Sequence, residues 1–132
     1  MKRSIIAAQL YTLRDFLKTP ADIVATLKKV KLMGYDAVQA SGFSYEPKEL
    51  KKILDGEGLV CCATHESGKE ILEEPSKLVE KLDALDCKYT AYPWPHTNPN
   101  SEEEFKALAK ALDKSGEVFA KAGKTLCYHN HS

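Results

Sequence analysis

The stretch "TLCYHNHS" (125–132) sets a thiol and two imidazoles at alternate positions. Side chains of an extended strand alternate between faces, so Cys127, His129 and His131 share one side and Tyr128 and Asn130 the other. Imidazoles at i and i+2 are spaced for joint metal ligation or for proton transfer. Two imidazoles alone fall short of a catalytic metal centre, which normally takes three or more protein ligands. Cys127, one pleat deeper, is expected to pack. Similar side chains recur along the chain: Gln9 and Tyr11, Gln39 and Ser41, His65 and Glu66, then Tyr92, Trp94 and His96. Each has a plainer alternative. Gln9 and Gln39 could satisfy one another, and His65 could cap a loop. Trp94 suits either stacking on a sugar-like ligand or covering an apolar rim.

The elements that would position these groups alternate strictly. Strands are read at 4–9, 35–40, 59–65, 87–92 and 124–130, and helices at about 20–33, 46–57, 75–85 and 101–122. The first helix has Thr19 as cap, Pro20 in its first turn, Asp22 three residues after the cap and apolar Ile23, Leu27 and Val30 at helical spacing. The second opens at Glu46–Pro47 and ends near Gly56 and Gly58; the last carries a Ser101/Glu104 capping box and stops at Gly123. The strand "LVCCATH" is almost continuously apolar, as parallel strands covered on both faces are. A β-α-β-α order predicts a parallel sheet with right-handed crossovers. The repeat of about 30 residues matches one unit of an eightfold βα barrel, about 250 residues in full. The chain therefore holds four such units and a fifth strand. A doubly wound sheet fits the same order, but the Gly-rich phosphate turn usual after its first strand is replaced here by "QLYTLRDFLKTP". In both architectures chemistry sits at the C-terminal strand ends, where the polar groups above fall.

Composition narrows the function classes. Nineteen Lys plus Arg balance nineteen Asp plus Glu, without the basic excess of a nucleic-acid binder. No apolar run is long enough to span a membrane. Gln9, Arg14 and Asp15 interrupt the N-terminal apolar stretch too early for a signal peptide, so a cytoplasmic location is expected. The four cysteines, Cys61, Cys62, Cys87 and Cys127, form no CxxC pair and are expected to be free, buried thiols. "HES" (65–67) lacks the GxSxG setting of a hydrolase.

The runs "AAQLYTLRD", "MGYDAVQASGF", "LKKILDGEGLVCCATHES" and "GKTLCYHNHS" are spread along the chain from residue 7 to residue 132. In these the chain resembles the sugar phosphate isomerase/epimerase family of xylose isomerase-like TIM barrels. The resemblance implies the N-terminal half of a (β/α)8 barrel, a single half-barrel domain over residues 1–132. It also implies a divalent metal (Mn, Mg, Co or Zn) in the intact protein, which this chain alone need not bind. The chemistry implied is metal-assisted proton transfer beside the carbonyl of a sugar or sugar phosphate. Family metal ligands come mostly from strands five to eight, so only the strand-five position carries over, onto His129 or His131. His65, Trp94, Gln9 and Tyr11 are the implied substrate-side residues. Gln39 stands where the family usually has Glu.

A dehydratase or metal-dependent endonuclease of the same superfold, and a non-catalytic half-barrel, are the alternatives. With most metal ligands missing, the chain alone is expected to be inactive and to self-associate through its open sheet edges.

Overall fold

The computed structural model describes residues 5–95, 97, 98 and 100–131. His96, a sequence candidate, lies outside them, as does Ser4 at the start of the first expected strand. Strands β1 (Ala7–Gln9), β2 (Ala37–Ala40), β3 (Val60–His65), β4 (Tyr89–Tyr92) and β5 (Thr125–Tyr128) form one sheet in the order β1-β2-β3-β4-β5. All four pairings are parallel. This order decides between the two architectures. Right-handed crossovers that always step the same way place every helix on one side of the sheet, as in a barrel wall. A doubly wound sheet requires the order to reverse at a switch point, and none occurs among the described residues.

The helices are α1 (Pro20–Leu32), α2 (Pro47–Glu57), α3 (Gly68–Glu73), α4 (Pro75–Ala84) and α5 (Glu102–Lys121). At α1 the expected capping box closes in both directions: Thr19 Oγ1 accepts from the Asp22 amide (3.2 Å), and Asp22 Oδ2 accepts from the Thr19 amide (3.1 Å). At α5 only half of the box forms. Ser101 Oγ accepts from the Glu104 amide (3.2 Å), but the Ser101 amide already donates to Asn98 O (3.0 Å). The Glu104 carboxylate turns instead to the Asn98 amide, at 2.7 Å, and ties the preceding loop to the helix.

Leu27, Leu50, Leu54, Leu82 and Phe119 fill the space between helices and sheet and are fully buried. Across the centre, Thr64 Oγ1 donates to Thr90 Oγ1 at 2.9 Å, so the two buried hydroxyls satisfy each other. Between β2 and β3 the register steps from Val38↔Cys61 to Gln39↔Ala63, leaving Cys62 as an extra residue in β3. That bulge lets Cys61 and Thr64, three positions apart, both be buried, and it aims His65 the other way. All four cysteines are free. The expectation of burial is corrected for Cys127, which is exposed because β5 is a sheet edge; Cys62 is half-buried. No described helix is long and apolar enough to cross a membrane.

Candidate functional site

The C-terminal ends of the strands surround an open cleft of about 520 Å³. Gln9, Tyr11, His65, Trp94, His129 and His131 all line it, joined by Ser41, Gly42, Glu66, Ser67 and Pro93. Every substrate-side and metal-side residue expected from the sequence therefore converges on one cavity. Each arrives by its own local logic. Gln9 ends β1, in register with Gln39 of β2. Tyr11 lies one step further, in a 3-10 helix (Leu10–Phe16) that the sequence reading took for loop. Gly42, at φ +79°, gives Tyr11 room: a Cβ there would lie 2.3 Å from the tyrosine ring.

His65 is the last residue of β3. Strand β5 stops at Tyr128, shorter than expected, so His129 and His131 project from an irregular extension rather than a pleated face. The His129 amide donates to Tyr92 O (3.0 Å), which still holds that residue against β4. The rings form a chain of edge-to-face contacts. Centroids lie 4.7 Å apart for His65–His129, 4.7 Å for His129–His131 and 4.6 Å for His131–Trp94. His131 Nε2 lies 2.9 Å from Pro93 O. A proline carbonyl can only accept, so Nε2 carries a proton. Partial burial, and then the neighbouring His129 and His131 rings, hold the His65 imidazole below its usual pKa.

Glu66 is the residue that the sequence reading undervalued. Its side chain is 5 % exposed, and Oε2 accepts from Lys81 Nζ of α4 at 2.7 Å. Lys81 Nζ also lies 4.7 Å from the Tyr45 ring centroid. Glu66 Oε1 and the Tyr45 hydroxyl are buried without hydrogen-bond partners among the described residues. Burial, and next the Glu66 charge, drive the Tyr45 phenol far above its ordinary pKa. A carboxylate immediately after a strand-end histidine was a usable signal, but its lysine partner lies 15 residues away, on another element.

The residues present do not complete a metal site. Among the described residues no three His, Cys, Asp or Glu groups are placed to hold one ion. His131 engages Nε2 with a carbonyl, and the carboxylate in the cleft is bound to Lys81. A second cleft, of about 380 Å³, lies outside the barrel wall between α2 and α4 and is lined by Tyr45, Lys48, Lys77 and Lys81.

No family model matches the chain, and no curated protein sequence does. Solved structures do. A sugar phosphate isomerase/epimerase from Parabacteroides distasonis superposes with a TM-score of 0.85 at 21 % identity, covering 100 % of this chain and 53 % of that one. A xylose isomerase-like TIM barrel protein from Mycobacterium smegmatis, in complex with magnesium, gives 0.76 at 11 % identity over 97 % of this chain and 55 % of that one. A family 2 AP endonuclease from Brucella melitensis gives 0.69 at 12 % identity over 96 % and 55 %. The chain thus spans about half the length of each of these three structures. At these identities the likeness establishes architecture, and the architecture hosts more than one chemistry. The chain carries the fold of about half of a TIM barrel.

Proposed function

We propose that this chain supplies the substrate-facing part of a barrel that isomerises or epimerises a sugar or sugar phosphate by metal-assisted proton transfer. The observation that supports it is the convergence of His65, Trp94, His129, His131, Gln9 and Tyr11 on one cleft at the C-terminal rim. Trp94, half exposed, offers an aromatic face to the C–H side of a sugar ring. Gln9, Tyr11 and His65 offer donors and acceptors to hydroxyl groups. His129 or His131 is the position that would face a divalent metal whose other ligands lie elsewhere. With that set incomplete, the chain alone binds substrate and does not turn it over.

Saturation-transfer NMR of a free ketohexose against the protein tests the reading. Magnetisation should pass to the sugar and should fall at least threefold in His65→Ala and in Trp94→Ala. A sugar that receives no saturation, or binding untouched by both substitutions, would overturn it.

A further inference from the structure

The charge distribution of the same cleft points to the kind of sugar it accepts. Among the described residues, its lining contains no lysine and no arginine. A phosphate group at pH 7 carries nearly two negative charges and is normally held by Arg, Lys or a bound cation. Two cations contact residues of the lining without lining the cleft themselves. Arg14 lies over the Tyr11 ring, 4.3 Å from the centroid, and donates from Nη1 to Tyr11 O at 2.8 Å. Lys81 is held by Glu66 at 2.7 Å. The formally charged side chain that does reach the cleft is Glu66, whose carboxylate is paired with Lys81 and offers an approaching anion no counter-charge. What remains is an aromatic face on Trp94, the phenol of Tyr11, the amide of Gln9, the hydroxyls of Ser41 and Ser67 and the imidazoles of His65, His129 and His131.

We infer that this part of the site selects a neutral polyhydroxylated sugar and discriminates against its phosphate ester. The inference rests on the sugar-binding reading above and names the substrate class within it. Neutral donors and acceptors exchange water for sugar hydroxyls at little desolvation cost, and an aromatic face adds contact area without adding charge. A phosphoryl group placed here would lose hydration without gaining a counter-charge.

Trp94 is the single tryptophan of the chain, so its fluorescence reports on the cleft directly. The test is a titration at pH 8 with three probes: a free ketohexose, the same ketohexose as its 6-phosphate, and inorganic phosphate. The expected result is a Trp94 response to the free sugar at a concentration at least tenfold lower than to the phosphate ester, and none to inorganic phosphate. Ser67→Lys, at an exposed position on the cleft, should lower the ratio of ester to free-sugar midpoint concentrations, whatever it does to free-sugar affinity alone. Equal or tighter binding of the ester by the unmodified chain would overturn the selectivity and leave sugar binding standing. So would a Ser67→Lys variant in which that ratio does not fall. No response to either sugar would overturn the sugar-binding reading, and the selectivity with it.

Discussion

The helix-facing side of the sheet and its C-terminal rim are built from neighbouring residues of the same strands, yet they obey opposite rules. Thr64 is fully buried and satisfied by Thr90; His65, the next residue, opens onto the cleft. Tyr92 is buried, with Gly68 so close that a Cβ there would lie 2.8 Å from its ring; Trp94, two residues on, is half exposed. On the helix side, side chains are packed until their volume is filled, and Thr64 and Thr90 pair their hydroxyls. At the rim, imidazoles, amides and hydroxyls are left facing a cavity. Stability and binding are therefore assigned to different residues of each strand, and variants can separate them.

The largest separation should come from Phe119→Ala in the helix layer. Phe119 is fully buried, and truncating such a residue costs about 3–5 kcal/mol. Urea unfolding should show that loss, while the protein that remains folded keeps its affinity for sugar. Lys81→Met acts where the two regions meet. It strands the buried Glu66 carboxylate without its partner, a change worth about 3 kcal/mol. Unlike Phe119→Ala, it should also alter Trp94 fluorescence titrations, because Glu66 forms part of the cleft.

Gly42→Ala should be milder in stability and sharper in binding. The residue sits at φ +79°, which costs a side chain about 1 kcal/mol. The added Cβ must push the Tyr11 ring away from the rim, so sugar affinity should fall several-fold. The smallest effect concerns pH. Because the folded His65 imidazole titrates below its usual range, its contribution to stability is fully present above the unfolded value of about 6.5. That contribution is lost as pH falls through the lower folded value. Melting temperatures measured from pH 8 to pH 5 should therefore drop less for His65→Gln than for the unmodified chain.

The difference between the regions also explains what could be read in advance. Strand and helix order were legible because Ile23, Leu27 and Val30, or the run "LVCCATH", answer to one sheet–helix interface with a fixed period. Barrel and doubly wound forms share that period, so only the strand order separated them. The 3-10 helix at Leu10–Phe16 and the six-residue α3 were missed because segments so short carry little periodic signal. At the rim, residue type and position at strand ends sufficed to gather Gln9, Tyr11, His65, Trp94, His129 and His131. The Glu66–Lys81 pair, the close approach of Gly42 to Tyr11 and the His131–Pro93 contact depend on elements far apart in the chain, so no local pattern announces them.

The most direct measurement is a residue-resolved NMR map of the protein during titration with a free ketohexose. The account predicts shifts clustered at Gln9 and Tyr11, Ser41 and Gly42, His65 to Ser67, Trp94, and His129 and His131, with the Leu54 and Phe119 signals unmoved. Shifts centred instead on Tyr45, Lys48 and Lys77, in the cleft between α2 and α4, would contradict it.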